Sequence, residues 1–280
     1  MTMSIRTNVA SLDAQRNLSS TQSMLDSSMA RLSSGYRITK AGDDAAGLGI
    51  STKLEAQIRS YNQAVRNAND GVSVVQTTEA ALDNTANILT RLRELAMQSA
   101  SDGIGDSERA YIQTEASQLQ DEMNRIAQTT QFNGAYLLNG SSLTLDFHVG
   151  VDGTTNDVIS FHTMDATVST LFGTSSSQTS IDLSSKIGSV SALSVIDGAL
   201  AALSNDRSEL GAAGNRLQDV IATIQSFTEQ LSAADSRIKD VDVAEETSTM
   251  ARAQILQQAG VSVLAQANQQ PQLALKLLGG

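Results

Sequence analysis

Residues 193–231 read LSVIDGALAALSNDRSELGAAGNRLQDVIATIQSFTEQL. Positions spaced alternately by three and four hold Leu193, Ile196, Leu200, Leu203, Arg207, Leu210, Gly214, Leu217, Ile221, Ile224, Thr228 and Leu231. Within them Ile196, Leu203, Leu210, Leu217, Ile224 and Leu231 recur every seven residues. A 3.5-residue period winds a narrow apolar seam along a helix, suited to lengthwise packing against other helices. At 1.5 Å per residue the stretch makes a rod of about 60 Å. A rod of that length needs partners of matching length, and the rest of the chain supplies them.

Working outward, residues 45–100 carry Leu54, Tyr61, Ala68, Val75, Leu82, Leu89 and Ala96 at spacings of seven, with Ile58, Val65 and Val72 on the adjoining row. Asp43 and Asp44 offer side-chain oxygens to cap this helix, and Gly71 is a weak point where it can bend. After the break at Ser101, Asp102, Gly103 and Gly105, a helix over 107–130 capped by Asp106 or Ser107 carries Ile112, Ala116, Leu119, Met123 and Ile126. The segments 45–100, 107–130 and 193–235 are thus expected to share one antiparallel seam, whose main residues are Leu54, Ile58, Leu82, Leu89, Leu119, Leu203, Leu210, Leu217, Ile224 and Leu231.

Between the second and third segments the period shortens to two. Leu143, Leu145, Phe147, Val149 and Val151 alternate with mostly polar neighbours, Asp152, Gly153 and Asn156 supply turn chemistry, and 158–163 returns, so a β-hairpin is expected over 143–163. Asn133-Gly134 and Asn139-Gly140 mark two tight turns before it. Residues 163–191 then hold 14 Ser or Thr in 29 positions, a composition that buries little and predicts an exposed loop or small lobe.

The ends are amphipathic and have no adjacent sequence to cover them. From about Ser4 to Leu32 the stripe runs through Ile5, Val9, Leu12, Leu18, Leu25, Met29 and Leu32. The last stretch, after an acidic connector at 235–246, carries Met250, Ile255, Leu256, Val261, Val263 and Leu264, then Leu273, Leu275, Leu277 and Leu278 beyond Pro271. Proline lacks a backbone donor, so a kink or fresh first turn is expected at 271. Because the body folds back on itself, the two ends emerge together and are natural mates. The fold class is mainly α: an elongated antiparallel helical bundle with a small β-hairpin element and paired terminal helices.

Composition narrows the function classes. The 280 residues include 3% aromatics, no Trp, no Cys and one Pro, against about fourteen prolines at average usage. Long uninterrupted helices follow, and neither disulfides nor thiolate metal sites can form. The net charge of −11 divides into +3 over residues 1–66 and −14 over 67–280, without the clustered basic face that nucleic acid requires. There is no run of eighteen apolar residues for membrane insertion, and Met1 to Ser20 does not read as a cleavable signal peptide.

No catalytic constellation or phosphate-cradling glycine loop stands out, no H-E-x-x-H occurs, and no cofactor is expected. His148 and His162 lie on the two hairpin strands without a third ligand at fixed spacing and read as structural rather than as a metal pair. Asp240, Asp242, Glu245 and Glu246 lack the glycine and spacing of a calcium loop.

Several ordered motifs closely resemble bacterial flagellin. They include Arg31-Leu32-Ser33-Ser34-Gly35-Tyr36-Arg37-Ile38, Asp43-Asp44-Ala45-Ala46-Gly47-Leu48, Arg91-Leu92-Arg93-Glu94-Leu95-Ala96 and Gln131-Phe132-Asn133-Gly134. Near the end stand Ala233-Ala234-Asp235-Ser236-Arg237-Ile238, Ser262-Val263-Leu264-Ala265-Gln266-Ala267-Asn268-Gln269 and Pro271-Gln272. The resemblance covers about 1–140 and 190–278. Thr39, Thr90 and Gln230 depart from the family's usual residues.

The resemblance implies that residues 1–44 and 240–280 form an inner-tube coiled coil, unfolded in the free subunit and ordered on assembly. It also implies a rod domain of 45–163 and 191–239, with 164–190 a reduced outer segment. Self-assembly is then expected through Ile5, Val9, Leu12, Leu18, Leu25, Leu32, Ile255, Leu256, Val263, Leu264, Leu275, Leu277 and Leu278. The implied function is a motility filament outside the cell, exported without a cleavable signal. The implied partners are other copies of the chain, the flagellar export apparatus and export chaperone, the filament cap and the hook-associated proteins. Arg91, Leu95 and Glu115 match positions by which many flagellins engage a host Toll-like receptor; Leu95 reads equally as seam packing, and Arg91 with Glu115 as a pair between helices. The alternatives are a hook–filament junction protein of the same family and a secreted coiled-coil adhesin or effector.

Overall fold

The computed structural model describes residues 7–173 and 180–278, with side chains through 269. Among the described residues the α-helices are α1 (Val9–Ser34), α2 (Ala45–Ser99), α3 (Asp106–Thr129), α4 (Val168–Gly173), α5 (Lys186–Lys239) and α6 (Val243–Leu278). Four short strands are β1 (Gln131–Phe132), β2 (Ala135–Tyr136), β3 (Thr144–His148) and β4 (Val158–His162). The chain divides into two units, one of residues 1–56 with 230–280, the other of 57–229.

The second unit has its core where α2, α3 and α5 meet. α2 and α5 run antiparallel in a continuous register: Tyr61 and Phe227 rings lie 6.1 Å apart, Asp83 pairs with Arg207 at 3.1 Å, and Arg93 with Asp197 at 2.7 Å. Leu82, Leu89, Leu203, Leu210, Leu217 and Ile224 are at most 3% exposed, so the seven-residue seam is the core itself. Ile58 and Leu119 are half-buried at its margin. α5 is long and apolar enough, by length and composition, to cross a membrane, but its large seam residues face this core.

β3 and β4 pair antiparallel with Leu145 opposite Phe161 and Phe147 opposite Ile159. That face packs on the helices. A Cβ built at Gly71 would lie 3.2 Å from Leu217 and from Phe147, so the glycine admits a close approach; α2 runs unbroken through it, where the sequence allowed a bend. β1 and β2 close on a turn at Asn133 (φ 48°) and Gly134 (φ 83°), as Asn-Gly predicts.

Three local expectations are corrected. α3 begins after Gly105 with no side-chain cap, although Asp106 and Ser107 were available; both acids of its first turn, Asp106 and Glu108, lie instead where the helix dipole favours negative charge. The Ser/Thr-rich segment buries more than its composition suggests. Leu171, Phe172, Ile181 and Leu183 enter the core, held by Gln120 Oε1 accepting from the Ile181 N–H at 3.1 Å and by Gln113 Oε1 accepting from that of Leu183. Finally, α6 continues through Pro271 to Leu278, so no fresh first turn is made there.

The first unit holds the chain ends. α1 stops at Gly35, whose φ of 75° is the left-handed conformation that closes a helix. Asp44 Oδ1 accepts from the Gly47 N–H at 2.8 Å and starts α2 as its sequence predicts.

Candidate assembly surface

α1 and α6 lie antiparallel and share the first unit. The α1 residues facing inward are Ser11, Ala14, Leu18, Thr21, Leu25, Ser28 and Leu32, a strict alternation of three and four. The α6 residues recur likewise: Glu246, Met250, Ala253, Gln257, Gly260, Leu264 and Ala267. Half of these fourteen are small. A Cβ built at Gly260 would meet Leu18 Cδ1 at 3.3 Å, so Leu18 packs where α6 presents only a glycine.

Large apolar side chains consequently point outward. Val9, Leu12, Met24, Met29, Ile255, Leu256, Val261 and Val263 are between 47% and 67% exposed. An open groove of about 420 Å³ runs between the helices, lined in part by Leu18, Met24, Leu256 and Val263. Isolated apolar side chains on a surface are ordinary, but this many on one helix pair leave apolar area awaiting cover on more than one side, Met24, Leu256 and Val263 along the groove and Val261 beyond it. At the other margin of the seam Gln257 donates to Gln22, beside Val261.

A polar elbow joins the chain segments within this unit. The Val241 N–H donates to the Gly35 carbonyl at 3.0 Å, and the Arg37 N–H to that of Lys239 at 2.6 Å. Lys239 also pairs with Glu55, which raises the lysine's pKa, and stands 4.4 Å over the Tyr36 ring. Donation from the Thr39 N–H and hydroxyl, then from the Lys40 N–H and the nearby Arg31 charge, holds the Asp43 carboxyl below its ordinary pKa. Arg31 lies between Asp43 (3.8 Å) and Glu246 (3.7 Å), and Glu246 sits in the first turn of α6, where the dipole favours it.

On the second unit, Arg91 makes two bonds to Glu115, at 2.8 and 3.0 Å, and one to Glu94 at 3.0 Å; both glutamates raise its pKa. Arg91 and Glu115 are exposed, whereas Leu95 is buried in the core. His148 and His162 stand at opposite ends of the β3–β4 ladder, paired with Val158 and Thr144, and so do not face each other. Among the described residues no group of three or more His, Asp or Glu is placed to hold a metal ion.

The two halves of the chain match two family models. The bacterial flagellin N-terminal helical region matches residues 5–142, and the bacterial flagellin C-terminal helical region matches 193–278. The chain belongs to the bacterial flagellin family. A flagellin of Halalkalibacterium halodurans is 42% identical over 99% of this chain and all of its own length. Flagellin B of Vibrio cholerae is 35% identical, with both chains fully covered. Among solved structures, Bacillus cereus flagellin superimposes with a TM-score of 0.50 at 25% identity, covering 61% of this chain and 94% of its own. A putative flagellar hook-associated protein of Vibrio parahaemolyticus reaches 0.54 at 14% identity, covering 71% of this chain and all of its own, a likeness of fold alone.

The structure distributes this flagellin's sequence-derived residues unevenly. Leu25 is buried in the terminal seam and Leu18, Leu32 and Leu264 are half-buried there; Val9, Leu12, Ile255, Leu256 and Val263 stand on the outer face. Ile5 lies outside the described residues, as do the side chains of Leu275, Leu277 and Leu278. Leu54 and Leu231 are half-buried in the first unit, apart from the other rod-seam residues. Ser11, Ala14, Thr21, Ser28, Ala253, Gly260 and Ala267 were not singled out by apolarity. Their signal is a heptad of small residues, legible once spacing is weighed independently of hydrophobicity.

Proposed function

We propose that this flagellin is the structural subunit of a flagellar filament, and that its terminal helix pair is completed by neighbouring copies of the chain. One observation carries the proposal: half of the pair's internal seam is small residues, while large apolar side chains such as Val9, Leu12, Ile255, Leu256 and Val263 stand outward and uncovered. Covering a half-exposed Leu, Ile, Val or Met side chain recovers roughly 1 kcal/mol. That gain is available only where copies stack, so ordering of the ends and polymerisation become one event. In this reading residues 1–44 with 240–280 form the inner layer, 45–163 with 191–239 form the rod, and 164–190 faces outward.

The fold is shared with a hook-associated protein, so fold alone does not separate a filament subunit from a junction protein. Identity of 42% and 35% along the whole chain to flagellins favours the subunit. The same reading brings the export apparatus, an export chaperone, the filament cap and the hook-associated proteins as partners, and a filament outside the cell whose subunits are exported uncleaved. A host Toll-like receptor approaching Arg91 and Glu115 would first meet their ion pair.

Seeding purified chain with filament fragments tests the proposal. Elongation, with a rise in helical circular dichroism and the uncleaved mass in the polymer, is the expected result. Absence of elongation, or presence only in trace amounts in sheared filaments, would overturn it.

A further inference from the structure

α6 contains the only proline of the chain. In a helix the N–H of each residue serves the carbonyl four places earlier, so Pro271 leaves the carbonyl of Ala267 without its helical donor. Ala267 is buried, and a buried carbonyl left unpaired is costly. The donor comes from the other end of the chain: Asn8 Nδ2 donates to the Ala267 carbonyl at 2.8 Å. The second end of the same carboxamide is also used, since Asn8 Oδ1 caps α1 by accepting from the Ser11 N–H at 3.1 Å. Ser11 Oγ then donates to Asn268 Oδ1 at 2.8 Å.

Heptad seams are prone to slip by seven residues, because the pattern repeats. A slip of α1 along α6 would set Asn8 opposite the carbonyl of residue 260 or 274. Residues 264 and 278 both have N–H groups to serve those carbonyls, so only one register brings the carboxamide to a carbonyl that needs it. The geometry points to Asn8 and Pro271 as a register lock for the terminal helix pair: the proline creates one orphan carbonyl and the asparagine recognises it. This rests on the filament-subunit reading for its consequence, which is that copies assemble with their ends in a single alignment.

The test is a double-substitution cycle in the full chain, read by seeded elongation. Asn8→Ser keeps a good helix cap but is too short to reach Ala267. It raises the free concentration at which elongation stops by roughly tenfold, the expected effect of a buried acceptor left unpaired. In the Pro271→Ala background, where residue 271 regains an N–H for Ala267, the same Asn8→Ser change has an effect of about twofold or less. Equal penalties in the two backgrounds, or no penalty in either, overturn the lock. If the unsubstituted chain does not elongate, the subunit reading fails by itself, and oxidative cross-linking in the free full chain decides the lock. Cysteines placed by Gln22→Cys with Gln257→Cys, whose native side chains meet, report the observed register. Gln22→Cys with Leu264→Cys reports a seven-residue slip. The lock predicts the first cross-link alone, joined by the second once Asn8→Ser is added. Equal yields without Asn8→Ser, or the first pair alone with it, overturn it.

Discussion

The terminal pair and the three-helix core obey the same spacing of three and four, yet they place different mixtures of side chain on it. In the core, Leu82, Leu89, Leu203, Leu210 and Leu217 fill the seam and the outward positions are mostly polar, with Met97, Tyr111, Ile187, Val190 and Phe227 as exposed exceptions spread over three helices. In the terminal pair, small residues such as Ser11, Ala14, Thr21, Ala253, Gly260 and Ala267 share the seam with Leu18, Leu25, Leu32 and Leu264, and the outward positions include Val9, Leu12, Ile255 and Val263. Periodicity therefore decides that two helices pair, while residue size on the two faces decides whether the pair is finished. A seam of large residues makes a core; a seam that is half small residues, with large ones left outside, makes a building block.

The largest expected effect comes from emptying the finished seam. Leu210→Ala removes a fully buried side chain from α5 and should lower stability by about 3 to 4 kcal/mol, since neighbouring helices cannot fully collapse into the space. Urea unfolding followed by circular dichroism measures it. A loss under about 1 kcal/mol would mean the core is no more filled than the terminal pair, and the contrast would fail.

Next comes overfilling the small seam. Gly260→Leu places a side chain where even a Cβ sits 3.3 Å from Leu18, and should destabilise the α1–α6 pair by about 2 kcal/mol, read as a lower dissociation temperature of filaments. At Gly214 in the core helix a Cβ would lie at an ordinary 3.4 Å from Val75, so Gly214→Ala should instead stabilise by several tenths of a kcal/mol through helix propensity. The opposite signs sharpen the comparison: one glycine is needed for close approach, the other is spare.

These elements also show how much was legible. The α2, α3 and α5 seam, the hairpin, the Asp44 cap and the Asn133-Gly134 turn were readable because each is a local pattern with one physical solution. The terminal interface was readable as a pairing of two helices and only partly as a face: hydrophobicity found Leu18, Leu25, Leu32 and Leu264, but it also pointed to Val9 and Leu12 where packing selected Ser11 and Ala14. Leu171, Phe172, Ile181 and Leu183 were obscured by the Ser and Thr around them; Ile181 and Leu183 are tied in by Gln120 and Gln113, more than 60 positions away. Pro271 misled for a similar reason, since the group that meets Ala267 lies 259 positions earlier.

A smaller effect probes how the core is closed at its polar rim. Burial raises the Asp165 pKa, but donation from Thr167 and Thr170 outweighs it and leaves the carboxyl below its ordinary value. A lowered folded pKa contributes stability that is present above the unfolded value, near 4, and is lost as pH falls through the folded value. Thr170→Val removes one donor at 2.7 Å, so the folded pKa should rise. Stability at neutral pH should drop by about 1 kcal/mol, and acid unfolding should begin at higher pH. An acid titration of the two proteins compares the onsets; coincident curves would show that Asp165 is held by something other than these hydroxyls.

The smallest effect is expected where geometry looks strongest. Arg91 and Glu115 join α2 to α3 through two short bonds, but both side chains are about half exposed, and water and salt screen such a pair. Glu115→Ala should therefore shift stability by less than about 0.5 kcal/mol, less still in high salt, because the helices are already held by Leu89, Leu92 and Met123 beneath. Urea midpoints at low and high salt measure the difference. A loss above 1 kcal/mol that persists in salt would mean the ion pair helps to set how α3 docks. The core could then no longer be described by the size of its seam residues alone.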